Sequence, residues 1–190
     1  MTPRKSAQDE LTKDAIIDVA RDLFVAEGYD SISMRKIAKV LQCSHGAIYY
    51  HFKNKAELFY EIINHDFQQL NQELEDTINE NQISNEEKLF LILYRFIKFG
   101  LTHQNHYEVM FLIKDDEVKS YLANGPYVSY QRFAEAIAKL SPKQVHMKDI
   151  WSLFIGLHGF VTHYSRTETT FEEVEDLVKS HCQFLLKALS

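Results

Sequence analysis

The run Ser44-His45-Gly46-Ala47-Ile48-Tyr49-Tyr50-His51-Phe52 concentrates hydrogen-bonding side chains within a 190-residue chain of otherwise ordinary composition. Ile48 and Phe52, four residues apart, share one helical face and are the only two that need burial. Ser44, His45, Tyr49, Tyr50 and His51 then offer donors and acceptors in several directions. Gly46 and Ala47 carry so little side chain that a backbone can come close to base edges or thymine methyls in a major groove. The surroundings are cationic: from Ser31 to Lys55 stand Arg35, Lys36, Lys39, Lys53 and Lys55, with no acidic residue. The formal net charge of -6 at first argues against a polyanionic partner, but residues 61 to 190 hold 12 basic against 19 acidic residues, so the negative charge lies elsewhere. Such segregation is the footprint of a segment that neutralises phosphates.

Other chemistry is less well supplied. Nine histidines invite a metal site, and His103 with His106, His158 with His163, and His181 beside Cys182 are the spacings that might bring ligands together between helices. A metal-responsive regulator using histidines of the C-terminal part is therefore the alternative reading. No paired-histidine helix with its glutamate occurs, so the expectation is no metal and no cofactor. The absence of a phosphate loop, a nucleophile elbow or a motif-placed carboxylate pair argues against an enzyme. A helical adaptor with no nucleic-acid role would need the basic stretch to be a solvated face, and leaves the tyrosines unexplained. Cys43 and Cys182, far apart, fit a reducing compartment. With no run of about 18 apolar residues, and no signal-peptide pattern in Met1 to Glu10, the expected setting is cytoplasmic, without a membrane partner.

The elements that must hold these residues read as all-α. Six Gly and three Pro, with apolar residues recurring every three or four positions, leave no alternating strand pattern. A first helix shows Ile16, Ile17, Ala20, Leu23 and Phe24 on one face and should stop at Gly28. Two short helices follow, Met34 to Leu41 and Ser44 to about Tyr50, with only Gln42 and Cys43 between them. Asn54 is a good N-cap for a longer connector carrying Leu58, Phe59, Ile62, Ile63, Phe67, Leu70, Leu74 and Ile78. Capping boxes are predicted at Ser84 with Glu87, Ser141 with Gln144 (Pro142 taking the first helical position), and Thr170 with Glu173. The Asn124-Gly125-Pro126 run breaks the chain between helices. About nine helices result.

Helix, tight corner and second helix with basic residues around them form the arrangement that puts a recognition helix in a groove. Gly28-Tyr29, Ile37-Ala38 and the continuous run from Ser44 through Lys53-Asn54-Lys55-Ala56-Glu57-Leu58 closely resemble the N-terminal domain of the tetracycline-repressor family, over about residues 12 to 60. The resemblance implies a three-helix DNA-binding domain, residues 1–55, joined by a connector helix to a ligand-binding and dimerisation domain, residues 56–190. It implies that Arg35, His45, Gly46 and Ala47 read bases, that Tyr49, Tyr50, His51 and Lys55 hold phosphates, and that Ser33 caps the preceding helix near the backbone; Ser44 joins this DNA-binding set. Where the family usually has Gly in the turn stands Gln42, at roughly 1 kcal/mol in left-handed geometry, and Cys43 follows in place of a common Val. By the same resemblance the chain is a transcriptional regulator, expected to be a repressor of a palindromic operator on double-stranded DNA, relieved by a small-molecule effector.

The family's last two helices form a four-helix bundle across a two-fold dimer, and this sequence has the means. The segment from Ile150 to Val161 is apolar nearly all round, and Phe171, Val174, Leu177, Val178, Cys182, Leu185, Leu186 and Leu189 recur with heptad-like spacing. The expected homodimer face comprises Trp151, Phe154, Gly159, Phe171, Val174, Val178 and Leu185. Gly156 and Gly159, each costing about 1 kcal/mol inside a helix, point to a close helix approach. Aromatic residues, Tyr121 among them, are dense in the middle helices. An effector pocket there is expected to draw on Tyr94, His103, Tyr107, Phe111, Tyr130, Phe154, His158 and His163.

Overall fold

A computed structural model of the chain describes residues 11–112, 125–165, 167 and 169–189. Met1 to Glu10, Tyr121 and Asn124, which entered the reading above, lie outside the described residues. The architecture is all-α: α1 (Lys13–Glu27), α2 (Met34–Val40), α3 (His45–His51), α4 (Lys55–Asn79), α5 (Asn85–Thr102), α6 (Gln104–Tyr107), α7 (Gly125–Leu140), α8 (Met147–Tyr164) and α9 (Phe171–Leu186). These are nine α-helices and no strand among the described residues. A π turn, Glu108–Leu112, continues α6, and a 3-10 turn, Lys187–Leu189, follows α9.

Side-chain oxygens decide most of the helix starts. Thr12, Ser33, Ser44, Asn54, Ser84 and Thr170 each accept a first-turn backbone N–H, an arrangement worth about 1 kcal/mol per cap. Ser84 with Glu87 and Thr170 with Glu173 close full capping boxes. The box expected at Ser141 does not form. Both the Ser141 N–H and its hydroxyl donate to the carbonyl of Ile137, at 3.0 and 2.6 Å, finishing α7. Helix α8 therefore begins only at Met147, behind His146, which gives no side-chain cap.

The first turns of α4 complete the core of the first three helices. Ile16, Ile17, Ala20 and Phe24 of α1 meet Ile37 and Ala38 of α2, Ile48 of α3, and Leu58, Phe59, Ile62 and Ile63 of α4. Phe24, Tyr29 and Phe59 pack as a triangle of rings with centroids 5.0 to 5.5 Å apart. Gly28, at φ 82, ends α1 with its N–H on the carbonyl of Phe24. In the C-terminal part α5 is the central helix, packed against α4, α7, α8 and α9. None of the described helices is long and apolar enough to cross a membrane.

Candidate nucleic-acid interface

The corner between α2 and α3 is a Schellman turn. The N–H of Gln42 donates to Lys39 and that of Cys43 to Ala38, at 3.2 and 3.0 Å, satisfying carbonyls that the end of α2 leaves open. The motif needs a left-handed residue after the helix, and Gln42 supplies it at φ 52, the only non-glycine with positive φ among the described residues. Ser33 caps α2 through Lys36 N–H at 3.3 Å, and Ser44 caps α3 through Ala47 N–H at 3.2 Å. With both ends of the corner fixed, burial of Ile48 and Phe52 sets the roll of α3.

That roll turns the polar side chains outward. Ser44, His45, Gly46, Tyr49 and Tyr50 are exposed, Tyr50 at 86%, while Ala47 and His51 are half-buried. The His45 ring meets Tyr49 edge-on at 4.6 Å and Tyr50 meets His51 at 5.2 Å, so the aromatic groups steady one another on the surface. Arg35 of α2 is exposed.

The cationic inventory is smaller than the sequence count. Lys36 is bonded to Glu27. Lys55 is half-buried, its Nζ donating to the Tyr29 carbonyl at 2.9 Å and standing 3.9 Å from the centre of that ring. An ammonium has three donors, so this anchoring leaves hydrogens for a phosphate. Arg35, Lys39 and Lys53 are exposed and make no side-chain ion pair among the described residues. Lys39 and Lys53 were not singled out as contacts from sequence, although the acid-free stretch from Ser31 to Lys55 contained the signal.

The residues expected at an effector pocket divide into two sets. Tyr107, Phe111, Tyr130, Phe154 and His158 belong to one aromatic cluster with Phe96 and Phe133. The Tyr107 hydroxyl bonds His158 Nδ1 within it, and burial lowers that imidazole to about 4, so it is neutral near pH 7. Tyr94, His103 and His163 stand apart. The Tyr94 hydroxyl donates to Glu175 at 2.7 Å, with burial and then that carboxylate pushing it up to about 12. His103 and His163 are exposed. Beside the cluster lies a cavity of about 30 Å³ between α4, α5, α7 and α8, lined by Leu70, Asn71, Arg95, Ser129, Phe133 and Phe154 among others. It has room for a water or two. Among the described residues no three His, Cys, Asp or Glu side chains gather as a metal-ligand set.

The expected dimer face needs correction. Phe154, Phe171, Val174 and Val178 are buried in the chain's own core, with Phe171 against Tyr94 of α5, so a second copy has no access to them. Trp151 and Gly159 are exposed and Leu185 is half-buried. The apolar side chains that do reach solvent on α8 and α9 are Trp151, Ile155, Leu177 and Phe184. A Cβ on Gly156 would come within 3.0 Å of Leu185, so its close approach is internal; one on Gly159 would meet nothing within 4 Å.

Comparison with known proteins agrees with this geometry. The family model described as bacterial regulatory proteins, tetR family, matches residues 16–62. The HTH-type transcriptional regulator QacR of Staphylococcus aureus is 46% identical over 52 residues, 27% of this chain and 28% of that protein. The chain thus spans about a quarter of the length of such curated relatives. Among solved structures, the fatty acid degradation regulator FadR from Bacillus halodurans has 20% identity and a TM-score of 0.78, covering 97% of both chains. The FadR of Bacillus subtilis, solved in complex with stearoyl-CoA, also has 20% identity, with a TM-score of 0.76 over 92% of this chain and 98% of that one. These two likenesses show the fold, and the family match falls on α1 to α4, where the corner, the caps and the outward-turned side chains of α3 are found. Over residues 16–62, then, the chain carries a helix-turn-helix domain similar to that of the tetR family of bacterial regulatory proteins.

Proposed function

We propose that the chain is a homodimeric transcriptional repressor that binds a palindromic operator through α3 and releases it when a small-molecule effector enters the C-terminal part. The observation that carries the reading is α3 itself, held by Ile48 and Phe52 with His45, Tyr49 and Tyr50 facing solvent beside exposed cations. Residues 1–55 form the DNA-reading unit and residues 56–190 the effector and dimerisation unit, with α4 belonging structurally to both. Arg35, His45, Gly46 and Ala47 read base edges; Ser33, Ser44, Tyr49, Tyr50, His51 and Lys55 set register on phosphates.

The effector reading is supported by the aromatic cluster around His158 and the neighbouring cavity. That cavity is far smaller than a typical ligand pocket, so an effector must part α4, α5, α7 and α8 to enter. Ligand and operator then oppose each other through the affinity of each for the two arrangements. Stearoyl-CoA in a regulator of the same fold is a precedent for an effector with a long apolar body. For the dimer, the support is the set Trp151, Ile155, Leu177 and Phe184 left open on α8 and α9.

The test is selection of duplexes from random sequence by the full-length protein, followed by titration at several salt concentrations. Wild type is expected to enrich a two-fold symmetric site. Arg35→Ala and His45→Ala should relax base preference at fixed positions, whereas Lys55→Ala should weaken all sequences alike and reduce the salt slope by about one. No enrichment, with the protein folded, would overturn the reading.

A further inference from the structure

Asp66 of α4 is fully buried where three helices meet. Arg21 of α1, itself only 2% exposed, grips it with two prongs: Nε to Oδ2 at 2.9 Å and Nη2 to Oδ1 at 2.7 Å. The remaining guanidinium nitrogen, Nη1, donates to Asp18 at 2.8 Å. From α6, His106 Nδ1 stands 3.1 Å from the same Oδ1. Its neighbour Asn105 donates to Asp22 of α1 at 2.8 Å. Burial raises the Asp66 carboxyl, but His106 and Arg21 outweigh it and hold the group below the usual carboxylate range. A buried ion pair gives little net stability over apolar residues of the same volume, yet losing one partner is costly, so its use is to fix one arrangement of the helices.

The residue after His106 faces the other way. Tyr107 is buried among Phe96 and Phe111, and its hydroxyl bonds His158 of α8. Adjacent residues of a four-residue helix therefore hold the helix-turn-helix unit on one side and the aromatic interior on the other. The π turn Glu108–Leu112 follows at once, a helical irregularity that recurs at functional sites.

We propose that His106 and Tyr107 are positioning residues through which the C-terminal interior sets α1: displacing the Tyr107 hydroxyl from His158 turns α6, draws His106 and Asn105 off Asp66 and Asp22, and loosens α1. The proposal rests on the effector reading above, but its test needs neither effector nor DNA, so the two can fail separately.

The measurement is amide hydrogen exchange, read peptide by peptide on the full chain. Tyr107→Phe should speed exchange in α1 by about threefold or more while leaving α9 as in wild type. Tyr94→Phe, which removes a hydroxyl bonded to Glu175 on the far side of α5, should leave α1 unchanged. His106→Ala should speed α1 by itself, and adding Tyr107→Phe to it should give no further increase, since residues acting in series are not additive. Unchanged α1 exchange in Tyr107→Phe overturns the proposal. So do equal rises in α1 and α9, a rise with Tyr94→Phe, or additive effects in the double variant. If Tyr107→Phe does not fold, His158→Leu breaks the same bond from the other side and is read in the same way.

Discussion

Gln42 shows what one backbone angle costs. Its left-handed φ is imposed by the Schellman turn that aims α3, and its side chain is exposed, so nothing in the packing requires a glutamine. Gln42→Gly removes the strain at some cost in unfolded-chain entropy, and should stabilise the protein by about 0.5 to 1 kcal/mol, read as a higher urea midpoint. This strain was readable from the family resemblance, which puts a glycine where Gln42 stands. His158 was not. Its neutrality comes from burial among Phe154, one turn away, and Phe111 and Phe96, far earlier in the chain, and spacing carries no information about those two. The folded imidazole titrates near 4 and the unfolded one near 6.5. The unfolded chain therefore takes the proton first, and stability must fall as pH drops from about 6.5 to about 4. Urea midpoints measured across that range should lose this slope in His158→Leu; an unchanged slope would assign it to other groups.

Helix faces were easier to read than helix ends. The apolar stripes of α1 and α4 and the inward pair Ile48 and Phe52 follow from periodicity, the caps at Asn54, Ser84 and Thr170 from residue type, and that at Ser33 from the family resemblance, whereas the cap at Ser44 went unread. Ser141 defeated the same logic, since a hydroxyl can end one helix as well as begin another and the sequence does not say which carbonyl lies nearer. The cap of α3 offers a way to separate folding from binding. Ser44→Ala should cost about 1 kcal/mol of stability and fray a seven-residue helix that has little else to hold its first turn. Ser44→Asp keeps an equally good cap but adds a negative charge on the surface proposed to face DNA. Its thermal midpoint should match wild type while its affinity for a selected duplex falls, most strongly at low salt where phosphate repulsion is least screened. If Ser44→Asp binds as wild type does, α3 does not present its first turn to the phosphates.

Periodicity placed the contact face of α9 on its inward stripe. Helix α9 carries two neighbouring apolar stripes, one through Phe171, Val174, Val178 and Cys182 and one through Leu177 and Phe184, and heptad spacing alone does not tell which turns inward. The first packs on α5; the second stays in solvent, with Phe184 68% exposed. On α8, Trp151 and Ile155 are similarly open, four residues apart on one face. A second copy related by a two-fold axis would cover both sets at once, and two recognition helices about 34 Å apart are what a palindrome requires. Phe184→Asp tests this without touching the core, because the side chain it replaces is mostly in water already. Sedimentation should show wild type as a dimer at micromolar concentration and Phe184→Asp as a monomer with an unaltered helical spectrum. Affinity for a two-half-site duplex should drop steeply in the variant, while the weak binding to a single half-site stays as in wild type, since each α3 is intact. A variant that remains dimeric would move the interface off the Leu177 and Phe184 stripe and leave the exposure of those side chains to another partner.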